Sequence, residues 1–358
     1  MFLDRYEKLS RIFKRSGVPS VPLSRVREGE ECWVVGMVAE RKQTARGNLL
    51  LVLEDPTGTL RAVITKNNGI HLPLDSVIAV RGRKGEGSSL FLADEILFPD
   101  LPPADPVPAG FPGVAVVSDL HVGSQMFLEG LWRSFCSWLG ENRWVRHLIL
   151  AGDLVDGIGI YPGQEEELAV PDIYGQFARL AELLELVPEG VEIYAIPGNH
   201  DYLPALPQPP LPKDLASPLY ERGVRMLGDP ARLEIEGVRI LVFHGHSFDS
   251  LGGDFNRPLE MMKLLLVCRH LAPSYGLVPL RPGERDELVV EEVPHVFVTG
   301  HTHVSGVGRY KNTLLISAGC FQDETEYTRM HGIHPTPGDV VILKNGSVSV
   351  KSFGGGGP

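Results

Sequence analysis

Phe2, Leu3, Tyr6, Leu9, Ile12 and Phe13 recur at helical spacing, which predicts an amphipathic helix over residues 1–17 with its apolar stripe packed and its basic face solvated. From Cys32 to Leu97 the pattern changes. Short β-rich runs, "CWVVGMVAE", "LLLVLE", "LRAVIT", "SVIAVRGR" and "LFLADEIL", are separated by turn formers such as "DPTG" at 55–58. Five such strands suit a small closed barrel with the strand and turn order of an OB-fold. Beyond residue 112 apolar strands alternate with polar clusters and helices: "VAVV" (114–117), "LIL" (148–150), "VEIYAI" (191–196), "RILVF" (239–243) and "HVFVT" (295–299). Ile173, Phe177, Leu180 and Leu184 mark one helix, started by Pro171 and Asp172, and a second is expected from Pro258 to about Leu271. Strands with continuous apolar runs and intervening helices read as an α/β fold.

Residues 98–112, "FPDLPPADPVPAGFP", hold six prolines and predict a stiff linker. The expected organisation is therefore an N-terminal helix (1–26), an OB-fold domain (27–97), the linker (98–112), a second domain (113–353) and a disordered glycine-rich tail (354–358).

Composition narrows the classes that remain. The net charge of −11 argues against a chain that grips nucleic acid through a broad basic surface. The barrel region carries nine basic against eleven acidic residues, and its basic loop (Arg41, Lys42, Arg46) and Trp33 leave nucleic-acid contact and protein docking both open. No apolar run is long enough to span a membrane, and the N-terminus lacks the apolar centre of a signal peptide, so a cytoplasmic, membrane-free protein is expected. Cys32, Cys136, Cys268 and Cys320 are widely separated and form no metal or redox motif, so they read as reduced, mostly buried residues.

Chemistry concentrates where the strands end. Asp119 and His121 follow the first strand, Asp153 and Asp156 the second, and Asn199, His200 and Asp201 the third. His244 and His246 follow the fourth, and His301 and His303 the fifth. Each pair alone is what turn and cap chemistry often leaves at a strand end. Five consecutive strand ends carrying such residues are better explained by one crevice on which the carboxyl ends converge. Carboxylate, amide and imidazole without thiolate suit Mn²⁺, Fe²⁺ or Zn²⁺, with manganese favoured. The donors outnumber what one ion can use, so two divalent ions sharing a carboxylate, as in in-line phosphoester cleavage, are expected.

"SDLHVG", "GDLVDG", "PGNHD", "HGH" and "GHTH" together resemble a calcineurin-like metallophosphoesterase. That resemblance implies a β-sandwich flanked by helices, with Asp119, His121, Asp153 and His303 on one ion and Asp153, Asn199, His244 and His301 on the other. It also implies His200 as the general acid for the leaving oxygen. Asp156 and Asp201 are expected to be structural partners or groups that orient the ligand histidines. "FLDRYEKLSRI", "GDLVDGIGIYPGQEEE", "HGHSFD", "RHLAPSYG" and "PTPG" extend the likeness over nearly the whole chain to the small subunits of archaeal family D DNA polymerases. The implied activity is 3′→5′ proofreading exonuclease. The implied partners are a large catalytic subunit and the single-stranded 3′ end of a DNA primer, with a sliding clamp and a primase as further candidates. His246, expected to bind substrate, stands where that family more usually has arginine, and "GCFQDETEYT" (319–328) is a looser match. The family's extended N-terminal region has no counterpart in these 358 residues, and its contacts with other replication proteins are not expected of them. Two competing expectations are a scaffold subunit without catalysis and a stand-alone metallophosphoesterase.

Overall fold

The computed structural model describes residues 1–45, 47–65 and 71–354. Arg46 of the basic barrel loop and most of the glycine-rich tail lie outside the described residues. The chain forms two compact units. One contains Met1–Pro102 together with Lys263–Glu292, and the other contains Pro103–Met262 and the residues from Val293 onward. The division at 102/103 falls inside the proline-rich stretch. The return of residues 263–292 to the first unit departs from the single second domain expected over 113–353.

The first unit begins with α1 (Phe2–Arg15), whose Leu9 and Phe13 are buried as its stripe requires. β1 (Ser20–Val21) lies parallel to β2 (Glu31–Gln43). β3 (Leu49–Asp55), β4 (Gly58–Ile64), β5 (Val77–Lys84) and β6 (Leu90–Leu97) follow in the sheet order β2-β3-β4-β6-β5. β5 pairs back onto β2, which closes a five-stranded barrel, the expected OB-type architecture. One long strand can serve both neighbours because β2 bends at an irregularity between Val38 and Glu40, with Glu31–Met37 on β5 and Met37–Gln43 on β3. Gly82 sits at the matching irregularity of β5, where a Cβ would strike the carbonyl of Leu92.

Residues 263–292 join this unit for two physical reasons. Val289 packs in one apolar cluster with Leu9, Phe13, Val35, Met37, Val77 and Ala79. Arg5, expected on the solvated face of the helix, is instead fully buried, its Nε donating to Asp286 Oδ2 at 2.8 Å and its Nη1 to the carbonyl of Pro273 at 2.6 Å. The apolar periodicity of α1 gives no sign that one of its cations is needed inside.

The second unit is a sandwich. Its first sheet holds β7 (Gly113–Val117), β8 (Val145–Ala151), β9 (Glu192–Ile196), β10 (Arg225–Met226), β16 (Asp339–Lys344) and β17 (Ser347–Ser352) in the order β10-β9-β8-β7-β16-β17. The second holds β11 (Ala231–Ile235), β12 (Val238–Val242), β13 (Val296–Thr299), β14 (Gly306–Tyr310) and β15 (Thr313–Ser317) in the order β11-β12-β13-β15-β14. β7, β8 and β9 are parallel, as are β12, β13 and β15. Alternation of side chains splits β7, β8, β9 and β16 of the first sheet between two cores. Val114, Val116, Ile149, Ala151 and Ile196 face Ile240, Val242, Val296 and Val298 of the other sheet. Ala115, Val117, Leu148, Leu150 and Ala195 pack with Trp132, Phe135, Phe177 and Leu180, from α2 (Glu129–Glu141) and α3 (Ile173–Leu184). α3 starts where Asp172 accepts the amide of Gly175 at 2.7 Å, the expected cap. After the short α4 (Ser217–Glu221), the other expected helix, α5 (Pro258–Cys268), stops three residues early because Arg269 turns to φ +50°. Among the described residues, no helix is long and apolar enough to cross a membrane.

Candidate metal centre

Every sequence-predicted ligand lies just past the carboxyl end of a strand of the second unit, three strands from one sheet (β7, β8, β9) and two from the other (β12, β13). The backbone there leaves ordinary conformations. Asp119, His121, Asp153, His301 and His303 all have φ between +46° and +69°. Non-glycine residues in this left-handed region are uncommon, and each costs on the order of 1–3 kcal/mol that surrounding contacts must offset. The contacts are present. Asp119 N donates to Gly152 O at 3.0 Å and His121 N to Asp153 O at 3.1 Å. The Asp119 carboxylate accepts His301 N at 2.9 Å, and Asp153 Oδ1 accepts His200 N at 2.9 Å. The ligand loops of the two sheets are thus tied by the carboxylates themselves.

The side chains converge around two aspartates. His303 Nε2 lies 3.4 Å from Asp119 Oδ1 and 3.1 Å from His121 Nε2. His244 Nε2 lies 3.2 Å from Asp153 Oδ2 and 3.1 Å from Asn199 Oδ1. Asp153 Oδ2 also stands 3.8 Å from His121 Nε2, between the two sets. His301 offers a ring nitrogen within 4.8 Å of ligand atoms of Asp153 and His244.

Tautomers decide what these distances mean. His244 Nδ1 lies 2.9 Å from the carbonyl of Ala151, which can only accept, so Nδ1 carries the proton and neutral His244 turns a bare Nε2 lone pair toward two oxygens. His121 Nδ1 likewise faces the Asp156 carboxylate at 3.0 Å, leaving its Nε2 bare toward His303. Lone pairs at such separations repel unless a proton or cation lies among them. Ligands about 2.1 Å from one ion stand roughly 3.0–3.4 Å from each other, so the spacing fits divalent cations. Electrostatics point the same way. Burial opposes charge on His244, yet Asp153, Asp119 and Asp229 hold its pKa up at about 10. Burial opposes charge on His303 too, and Asp119 and Cys320 outweigh it. Burial alone would raise the Asp119 and Asp153 pKa values, but neighbouring histidines keep both carboxyls low. The centre requires positive charge.

The surrounding residues divide into those the sequence suggested and those it did not. Asp156 holds His121, and its carboxylate also accepts from Gln164 Nε2 at 3.1 Å and Gln322 Nε2 at 3.3 Å. Asp201, expected to orient histidines, instead binds backbone: its carboxylate accepts the amides of Gly198 (2.7 Å), Val155 (2.9 Å) and Leu154 (3.2 Å), locking two ligand loops together. His200 places Nδ1 2.8 Å from the carbonyl of Asp156, so its proton sits there and Nε2 is the nitrogen left for chemistry. His246 is 8% exposed, does not line the cleft over the centre, and has a buried Nδ1 without a hydrogen-bond partner. Burial, with help from the nearby His301, lowers its pKa to about 4. Its placement gives no direct support to the substrate contact expected of it. Asp249 was missed by sequence reasoning. It lies 2.9 Å from His301 Nε2, and its place in "HGHSFD", one helical turn past His246, was the available signal.

Fold and site together define the class: a two-sheet α/β sandwich carrying a histidine–aspartate centre shaped for divalent cations, in a chain that also bears an OB-type barrel. Residues 114–306 match the family of DNA polymerase alpha/epsilon B subunits. The chain is 37% identical over 379 residues to the DNA polymerase II small subunit of Methanothermobacter thermautotrophicus, covering 98% of this chain and 78% of that protein. It is 38% identical over 381 residues to the DNA polymerase II small subunit of Archaeoglobus fulgidus, covering 98% and 75%. The chain belongs to this family of archaeal DNA polymerase small subunits. Among solved structures, a novel archaeal phosphodiesterase is 15% identical over 67% of this chain and 99% of that one, at a TM-score of 0.36, too distant a likeness to carry function across.

Proposed function

We propose that the chain is the 3′→5′ proofreading exonuclease of a two-subunit archaeal DNA polymerase, acting on mismatched primer ends with two divalent cations, manganese by preference. The observation that carries this reading is the convergence of imidazole nitrogens and two buried carboxylates at the spacing of ligands around shared ions, a buried cluster that needs positive charge to be stable. Asp119, His121, His303 and Asp153 would hold one ion, and Asp153, Asn199, His244 and His301 the other. When bound, such ions neutralise charge developing on a phosphoryl group and activate water.

The chain's own residues supply the rest. Ala151 O and Asp156 fix which nitrogens of His244 and His121 face the centre. Asp153 spans both ligand sets, so it fixes their separation. His200, anchored through Nδ1 on the Asp156 carbonyl, presents Nε2 in the cleft, where its protonated form delivers a proton to the leaving 3′ oxygen. General acids of this kind contribute about 10²–10⁴-fold. A large catalytic subunit is the proposed partner, since the relatives are named small subunits, and sliding clamp and primase are the further candidates.

The test is manganese-dependent digestion of a 3′-mismatched primer by the full chain, alone and with its large subunit, beside Asp119→Ala and His200→Ala variants. Both variants are expected to lose at least about a hundredfold in rate, His200→Ala without loss of bound manganese. Equal background activity in all three would instead assign a scaffold role. Preference for a phosphoprotein or a small phosphodiester over DNA would indicate a stand-alone phosphoesterase.

A further inference from the structure

The cleft above the metal centre has a volume of about 540 Å³. Its floor is the histidine–aspartate centre, and its walls are of a different character. Among the residues lining it are Ile160 and Tyr161, and Tyr327 and Met330 of α6 (Glu326–Met330). These side chains are exposed, Tyr327 to 57% and Met330 to 74%. Large apolar groups left in water around one cleft mark a binding surface.

Both walls are held stiffly. Gln164, fully buried, accepts the amide of Ile160 at 2.9 Å and donates to the carbonyl of Asp156 at 2.8 Å, so the Ile160–Tyr161 loop is braced on the same residue that orients His121. The Tyr161 hydroxyl donates to Glu167 at 3.0 Å. The second wall, α6, begins with a reciprocal Thr325–Thr328 capping box. The Tyr327 ring lies over His331 with centroids 4.1 Å apart and planes 31° apart, and His331 Nδ1 is fixed 2.8 Å from the Tyr327 carbonyl. The result is a pre-set aromatic flat.

Charge selects the occupant. No lysine or arginine is among the described residues lining the cleft, while Glu167, Asp249 and Glu326 are. A continuous phosphate backbone finds no cations on these walls, and extra phosphates meet carboxylates. What fits is a chain end that brings one phosphodiester to the floor and an unpaired ring to the walls. Stacking on aromatic faces is tolerant of base identity, because every base has a π-face.

We propose that Tyr161 and the Tyr327–His331 pair receive the nucleobase of an unpaired terminal nucleotide, so that the cleft selects ends whose last base has left the duplex, whichever base it is. This deepens the exonuclease reading and rests on it for the chemistry at the floor.

The experiment compares kcat/KM of the full chain on a single-stranded end bearing a base with that on the same end carrying an abasic terminal residue, for wild type, Tyr161→Ala, Tyr327→Ala and Tyr327→Phe. A second arm follows quenching of a 3′-terminal 2-aminopurine on binding, which needs no cleavage. The alanine variants are expected to lose about tenfold on the base-bearing end, to match wild type on the abasic end and to lose the quenching, while Tyr327→Phe keeps both. Equal losses on both ends, no loss on either, or unchanged quenching would overturn the proposal. So would a loss of large-subunit binding with base selectivity intact, which would make the walls a protein-docking surface. If wild type cleaves no DNA end, the exonuclease reading fails by itself, and the quenching arm still decides whether the walls stack a base.

Discussion

His121 Nδ1 and Asp156 Oδ1 lie 3.0 Å apart, and this contact decides which nitrogen of His121 faces the candidate metal centre. Asp156 can do this because Gln164 and Gln322 donate to its carboxylate from other directions. Asp156→Asn keeps the volume but offers the ring a neutral amide whose oxygen is a weaker acceptor and whose nitrogen is none. Residues that orient a ligand in this way typically contribute 10–100-fold in affinity. Manganese titration of the folded variant is expected to show a weakening of that order with the circular-dichroism spectrum unchanged. Wild-type affinity would show that His121 does not need this support.

Gly198 tests the placement of Asp153. A Cβ built on Gly198 would meet Asp153 Oδ1 and the Asp153 amide nitrogen. Gly198→Ala must therefore displace the carboxylate that stands between the two ligand sets. A shift of about 1 Å at a reacting centre can cost a hundredfold, and a loss of at least that size in primer digestion is the expected outcome. Gly130→Ala is the control. It sits in α2 with open space around a new Cβ, and it is expected to leave activity intact while raising stability by about 0.5–1 kcal/mol.

What the sequence revealed and what it hid follow from the range of the interactions. Strand positions and the start of α3 were legible because apolar spacing and the Asp172 cap act locally. The convergence of the candidate ligand clusters was legible because each sits directly after its strand, and the meeting of strand ends is a property of the fold class. The buried state of Arg5 was not, because its partner Asp286 is 281 positions away and nothing in the apolar stripe of α1 signals a salt bridge. The return of residues 263–292 to the first unit was hidden for the same reason. Asp201 was misread because an aspartate beside a histidine has the same local appearance whether it binds imidazole or, as here, three backbone amides. Asp249 acts through the folded position of His301, 52 residues on.

The pair His270–Asp286 in the first unit gives a stability prediction that is independent of metal. Ala272 N donates to His270 Nδ1 at 3.0 Å, so neutral His270 carries its proton on Nε2 and donates it to Asp286 Oδ2 at 3.1 Å, beside the guanidinium of Arg5. Burial and then the Arg5 charge outweigh the pull of Asp286, lowering the His270 pKa from 6.5 to about 4. The Asp286 carboxyl is likewise held far below its usual range, since His270 and Arg5 overcome the cost of burying it. A folded pKa below the unfolded one means that the unfolded chain takes up the proton first as pH falls, so stability drops with pH. The His270 contribution is complete above about pH 6.5, drains away as pH falls from there to about 4, and is followed by that of Asp286 at lower pH. A fall from 6.5 to about 4 corresponds to about 3 kcal/mol. His270→Gln retains an N–H donor for Asp286 but cannot titrate. Urea unfolding at steps between pH 7 and 4.5 is expected to show the wild type losing stability faster than the variant, the two curves converging toward the acid end. Parallel curves across that interval would mean that His270 takes up its proton equally in the folded and unfolded chain, so that burial and Arg5 do not lower its pKa.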